Sequence, residues 1–288
     1  MPANLDSVVA TVGILIASLV LVAAIALVLW QRRFASSRKS AQTTGPTAPI
    51  PRTEVWAASV LRPRGGERWV GIITGDMMKV QNVDIWINPE NTKMEMARPD
   101  EFSTSGMIRF FGGFPEAGDI TDDVIARALK DRVGDNVPVS AGSAFETTSG
   151  ALERSNNVRH IIHVAAVEGR PAAGFQQVDN VDQCIANALS LADDLVANGS
   201  EARSVLFPLL GAGVGRAAPE PTAYLLLQAT VDYLEDAEKP GVDRVYFLAY
   251  NAREYEALLS AFQRVDKLGP LRKMSRREVR QATRNPLP

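Results

Sequence analysis

One stretch limits what this chain can fold into more than any other: Ser204-Val-Leu-Phe-Pro-Leu-Leu-Gly-Ala-Gly-Val-Gly-Arg216. An apolar run ends in glycines at alternating positions, Gly211, Gly213 and Gly215. The helix-like Thr222-Ala-Tyr-Leu-Leu-Leu-Gln follows Pro219 and Pro221. Strand, glycine loop and helix start together make an arrangement that cradles phosphate, because glycines let the backbone curl close and free N–H groups face the anion. The same residues also suit a plain strand-to-helix turn. The G-x-G-x-G spacing, with Pro208 inside the apolar run, is not the dinucleotide fingerprint, so the rest of the chain has to decide.

Around this stretch, strand and helix patterns alternate. Val55 to Leu61 and Arg68 to Thr74 read as two strands around a turn, and Val83 to Ile87 as a short buried strand. Ile120 to Val133 has helical spacing. Gly142 to Thr148 and Val158 to Val167 read as strands, and Val181 to Ala197 as an amphipathic helix. After the Val205 strand come a helix around Ala223, a strand from Val242 to Tyr250 and a last helix from Ala252. Asn251, with Glu254 three residues on, suits the cap of that helix. Such alternation implies one α/β domain with a largely parallel centre.

Composition narrows the function. A net charge of −2 over 288 residues predicts no general affinity for nucleic acid. The one cysteine, Cys184, excludes an internal disulfide and falls at a buried position of a helix. His160 and His163 are three apart on a predicted strand, so they point to opposite faces and cannot share a metal. No metal site and no cofactor is expected.

The ends of the chain have a different character. Val8 to Trp30 is uncharged and apolar, broken only by Thr11, Gly13 and Ser18. As helix it spans about 34 Å, enough to cross a bilayer's hydrocarbon core. Its acidic start does not suit a cleaved signal peptide. Arg32, Arg33, Arg38 and Lys39 on the far flank predict a single-pass anchor with the N-terminus outside and the body cytoplasmic. Residues 31–53 read as a basic flank and proline-rich flexible linker, residues 54–265 as the folded domain, and residues 266–288 as a basic tail. That tail reads either as a solvated segment or as a contact for anionic lipid.

Several segments, in chain order, resemble the macro domain, a family of ADP-ribose-binding α/β modules. They are Ile72-Ile-Thr-Gly-Asp-Met-Met-Lys79, Val83-Asp-Ile-Trp-Ile-Asn-Pro-Glu-Asn91, Ala141 to Gly150, Val158 to Val164, Phe207 to Gly215 and Val245-Tyr-Phe-Leu-Ala-Tyr-Asn251. The resemblance covers roughly residues 54–264. It implies a three-layer α/β/α domain with a mixed central sheet, here preceded by the transmembrane helix. It further implies that ADP-ribose, a related NAD-derived nucleotide or an ADP-ribosylated protein is the partner. By the same resemblance Asp76 would accept from the adenine amino group beside the Met77 backbone, and Asn91 would bond the distal ribose, with Asn88 bracing the strand end. Gly211, Ala212, Gly213, Val214 and Gly215 would hold the diphosphate, with Arg216 adding charge or standing in solvent. Tyr250 would stack on the adenine.

The chain departs from that family after Asn91. Where binding and hydrolysing members often carry a glycine-rich loop, this chain has Thr92 to Gly106, with no glycine until its end. Met94, Met96 and Arg98 cannot wrap a diphosphate as glycines do. They are expected to cover the site with side chains or to shift it. Of the acids there, Glu95, Asp100 and Glu101, the latter two reach the ribose only if the loop folds back. The resemblance therefore implies binding with little hydrolysis; a hydrolase and a non-binding interaction module are the rival readings. A side chain at Gly213 is expected to obstruct the close approach of the loop backbone to the ligand and to disfavour any positive φ there. For the anchor the expected outcome is topological: protease added outside intact cells leaves the chain beyond residue 54 uncut, and digestion there would reverse the orientation.

Overall fold

The computed structural model describes residues 47–278, apart from 62, 64, 65, 117, 118, 171–173, 214, 237–240 and 276. The apolar segment at 8–30 and its basic flank lie outside the described residues. Among the described residues no helix is long and apolar enough to cross a membrane.

Eleven strands and six helices are described. The strands are β1 (Val55–Ser59), β2 (Trp69–Thr74), β3 (Ile85–Asn91), β4 (Phe114–Glu116), β5 (Asp119–Asp122), β6 (Ala144–Thr148), β7 (His160–Arg170), β8 (Gly174–Gln177), β9 (Ser204–Phe207), β10 (Arg244–Ala249) and β11 (Arg272–Lys273). The helices are α1 (Thr104–Gly112), α2 (Val124–Val133), α3 (Leu152–Asn156), α4 (Val181–Ala197), α5 (Pro219–Asp236) and α6 (Ala252–Arg264). The main sheet runs β11-β1-β2-β10-β9-β3-β7-β6, with β8 also on β7 and the β4–β5 pair apart. Strands β2, β10, β9, β3 and β7 are parallel, and the outer pairings are antiparallel, so the sheet is mixed.

Side-chain alternation divides the apolar residues between two cores. Ile85, Ile87, Val205, Phe207, Val245 and Phe247 pack on one face against α4, α5 and α6, where Cys184 is buried. Trp86, Ile161, Leu206 and Leu248 pack on the other against Ile108 of α1, Ile125 and Leu129 of α2 and Leu152 of α3. Both faces are covered, as a parallel sheet requires.

Three local expectations change. Ile120 belongs to the β4–β5 pair, and α2 starts only at Val124, because the Asp123 carboxylate is held by Arg109 of α1. A helix, α1, occupies the end of the segment expected as loop; Ser103 caps it by accepting from the Gly106 N–H. The segment beyond residue 265 starts as part of the sheet edge: Leu268 bridges Val60, and Arg272 and Lys273 pair with Ala57 and Trp56. Lys273 Nζ also lies 2.7 Å from Glu54.

The sheet's centre is pinned from below by Asp84, just before β3. Its Oδ2 accepts from the N–H groups of Arg203 (2.9 Å) and Ser204 (3.0 Å) and from Ser204 Oγ (2.6 Å). Asp84→Ala strands these donors at the start of β9. It should cost about 2–3 kcal/mol in chemical denaturation, and a loss below about 0.5 kcal/mol would show that water replaces the carboxylate.

Candidate functional site

The five parallel strands send their carboxyl ends to one edge, where open sheets place ligands. The loops there enclose a cleft of about 990 Å³. Pro89, Glu90 and Asn91 of β3 and Val167 of β7 line it on the sheet side. The glycine loop from Pro208 to Gly213 forms one wall, the segment from Glu95 to Ser105 the other, and Met77, Leu248, Tyr250 and Glu254 line it as well.

The expected site residues divide. Met77, Asn91, Gly211, Ala212, Gly213 and Tyr250 line the cleft; Asp76, Gly215 and Arg216 are not among its lining residues. Val214 lies outside the described residues. Asp76 accepts from the Met78 N–H (3.0 Å) and caps the short turn Met77–Lys79. Arg216 is exposed in a left-handed conformation (φ 54°) and closes the glycine loop through its N–H to the Gly213 carbonyl (3.1 Å).

Within that loop the glycines have different tasks. Gly211 has φ 76°, and a Cβ on it would lie 2.7 Å from the Gln177 side chain. Gln177 Nε2 donates to the Leu210 carbonyl (2.6 Å), clamping the loop's start. A Cβ on Gly215 would meet the Gly211 carbonyl at 2.6 Å. Gly213 differs from both: it has no positive φ, and a Cβ there meets nothing within 4 Å. That leaves this face of the loop open toward the cleft, where a side chain would stand in the way of a ligand and not of the protein.

The opposite wall is braced by side chains. The Asn91 carbonyl oxygen Oδ1 accepts from the Lys93 N–H (2.9 Å), and its Nδ2 donates to the Glu95 carbonyl (2.9 Å). Ser105 Oγ accepts from the Ala97 N–H (3.0 Å), and Arg109 Nη1 donates to the carbonyls of Met96 (3.2 Å) and Ala97 (3.0 Å). Met94 is buried in the second core, while Met96 lines the cleft. Arg98 pairs at the surface with Asp100 (3.8 Å) and Glu101 (2.9 Å). Phe102, for which no sequence pattern marks a role, packs its ring 5.9 Å from that of Tyr250, and both line the cleft. The Tyr250 N–H donates to Glu254 Oε2 (2.8 Å), and Asn251 and Glu254 form the expected cap of α6.

Glu90 was also passed over, because a charge at a strand end reads as surface. It is 3 % exposed. Its Oε1 accepts from Asn88 Nδ2 (2.7 Å) and Ser105 Oγ (2.6 Å). Asn88 Nδ2 also lies 3.0 Å from His163 Nδ1, and His163 Nε2 lies 2.9 Å from Thr147 Oγ1. A chain of polar groups thus runs from the cleft into the sheet. Burial pushes the Glu90 carboxyl up to about 8, against the smaller lowering by Ser105, Asn88 and Arg109. Burial holds His163 down at about 3, so it stays neutral. His163 is therefore a satisfied core histidine. His160 instead meets Glu146 (3.0 Å) and Ser200 (2.9 Å). Among the described residues no group of His, Cys, Asp and Glu could hold a metal ion.

An α/β domain with a mixed sheet and a loop-built cleft at its carboxyl edge is the class these features define. Residues 122–226 match the family model for the Macro domain. The structure is similar to the Oceanobacillus iheyensis macrodomain with ADP, at 16 % identity and a TM-score of 0.51, covering 73 % of this chain and 96 % of that one. It is also similar to a mutant of the same macrodomain with ADPR, at 17 % identity and a TM-score of 0.53, covering 72 % and 97 %. No curated protein matches the sequence. The chain carries the macro-domain fold.

Glu90 makes stability depend on pH in a definite direction. Folded, it holds its proton to about 8; unfolded, it releases it near 4.5. Folding therefore takes up a proton between these values, and stability falls as pH rises through that window, by at most about 1.4 kcal/mol per unit. Glu90→Gln removes this slope. The variant should gain on the wild type from pH 5 to 8 in parallel denaturation series, and parallel curves would show an ionised Glu90.

Proposed function

We propose that this chain is a membrane-tethered macro-type module that binds ADP-ribose or a related NAD-derived nucleotide on the cytoplasmic side of the membrane. The observation that carries the reading is the cleft, with an open-faced glycine loop on one side and Tyr250 and Phe102 on the other. The Gly213 N–H has no acceptor among the described residues, and such a group beside an open face suits a diphosphate oxygen. Two aromatic rings at the cleft suit a purine. The solved macrodomains of the same fold with ADP and with ADPR support this choice of ligand. The tether rests on the apolar run from Val8 to Trp30 and its basic flank.

Binding without turnover fits the second wall. Asp100 is turned to Arg98 at the surface, and Glu101 is held by the same guanidinium. Asp100 is not among the lining residues of the cleft, and Glu101, which is, has its carboxylate engaged by Arg98 and so is less suited to take a proton from a water. Release of ADP-ribose from a modified protein should stay at background; robust release lost in Asp100→Ala or Glu101→Ala would replace this reading with a hydrolase.

The loop supplies the binding test. Gly213→Glu fits the empty protein, because its Cβ meets nothing within 4 Å, but it sets a carboxylate beside the diphosphate. In calorimetric titration of the full chain with ADP-ribose the affinity should fall by about a hundredfold, a cost of roughly 3 kcal/mol. Gly211→Ala should instead lower the melting temperature, through its φ of 76° and the contact with Gln177. Full affinity in a folded Gly213→Glu protein would falsify the site.

A further inference from the structure

Glu90 has a feature that its role in the fold does not use. Both of its hydrogen bonds fall on Oε1. Its second oxygen, Oε2, has no partner among the described residues, yet the residue lines the cleft. A carboxyl group that is 3 % exposed with one oxygen saturated and the other empty is an orphan that a ligand can satisfy.

We propose that Glu90, as a neutral carboxylic acid, donates its Oε2 proton to an acceptor oxygen of the bound nucleotide, a hydroxyl or a phosphoryl oxygen, and so sets which ligands the cleft accepts. This inference rests on the nucleotide-binding reading and assigns the donor at its floor. The surroundings of Glu90 support the neutral form. On its own strand it meets Asn88, which donates and has no charge. From α1 it meets Ser105, also a donor, and at longer range Arg109. That guanidinium is already committed to Asp123 and to two carbonyls. From β7, His163 is reached only through Asn88 and is neutral, and Thr147 of β6 stands behind it. The cleft is lined by three more acids, Glu95, Glu101 and Glu254. Arg98 also lines the cleft, but its guanidinium is paired with Asp100 and Glu101; among the described residues no uncommitted cation meets Glu90, and a neutral donor is what an anionic nucleotide requires. An ionised Glu90 would offer that nucleotide a like charge and no proton.

The consequence is an affinity that falls as Glu90 ionises. ADP-ribose has no proton to lose near neutral pH, because its diphosphate is esterified at both ends, so a slope in that range belongs to the protein. The full chain is titrated calorimetrically with ADP-ribose at pH 6.5, 7.5, 8.2 and 9.0. Wild-type affinity should fall about tenfold across the series. Glu90→Gln, which cannot ionise, should show one affinity throughout, whatever its level, and Glu254→Gln should keep the wild-type slope. If Glu90→Gln retains the slope, or Glu254→Gln loses it, the inference is overturned while the binding reading stands. A wild-type affinity that does not change with pH overturns it in the same way. Absence of binding by the wild type at every pH removes the nucleotide reading, and this inference with it. That pattern is distinct from the others because no variant is needed to see it.

Discussion

Parallel strands must be covered on both faces, and from this constraint the rest of the molecule follows. Strands β2, β10, β9, β3 and β7 bury their side chains in two separate cores, so no ligand can lie on the flat of the sheet. The loops that leave their carboxyl ends must all emerge along one edge. Residues as distant in sequence as Met77, Asn91, Gly211 and Tyr250 meet there without any of them being adjacent in the chain. The helices α5 and α6, packed on one core, carry the chain away from that edge immediately after the glycine loop and after Tyr250.

The two walls of the cleft solve the same problem with different chemistry. The glycine loop reaches its shape through backbone freedom, with Gly211 at a φ that side chains rarely adopt and Gly215 where a Cβ would collide. The facing segment has no such freedom and is held by side chains: Asn91 bonds its first turn, Ser105 its middle, and Arg109 two of its carbonyls. A wall built in this way is stiff, because each bond fixes a separate point of the backbone. It also ties Asn91, the residue expected to bond a ribose, to loop architecture, leaving its amide with less capacity for a ligand than the resemblance implied.

The alternation of strands and helices was legible in the sequence because the apolar residues keep strict periods; Val181 to Ala197 is a helix within the very limits its pattern sets. Less legible were features fixed by partners far along the chain. The helix α1 holds two glycines and two phenylalanines, weak helix formers, and stands because Ile108 is buried and Arg109 has Asp123 to bind. Gly211 and Gly213 look alike in sequence, and only the fold tells them apart, through the φ of Gly211 and the packing of Gln177 against it. Glu90 is buried by a serine fifteen residues on and an asparagine whose second contact is a histidine seventy-five residues away. No local pattern carries that information.

The route by which the chain enters the domain ties the cleft to whatever lies before it. Ile50 N–H donates to the Tyr250 carbonyl (2.8 Å), Pro49 bridges Asn251, and Thr74 Oγ1 donates to the Arg52 carbonyl (2.8 Å). The segment expected as a free linker is therefore docked by residue 49, against the residue proposed to stack on the purine. The tether proposed at residues 8–30 would be joined to this point by residues 31–46 alone, a span of at most about 55 Å when fully extended. A pull or a lateral contact on that segment acts first on Pro49 and Ile50, and through them on the backbone of Tyr250. The Tyr250 N–H is fixed from its other side by Glu254, so its ring is held between the incoming chain and the cap of α6. The aromatic side of the cleft is thus the part of this domain bonded directly to the segment that enters at Pro49.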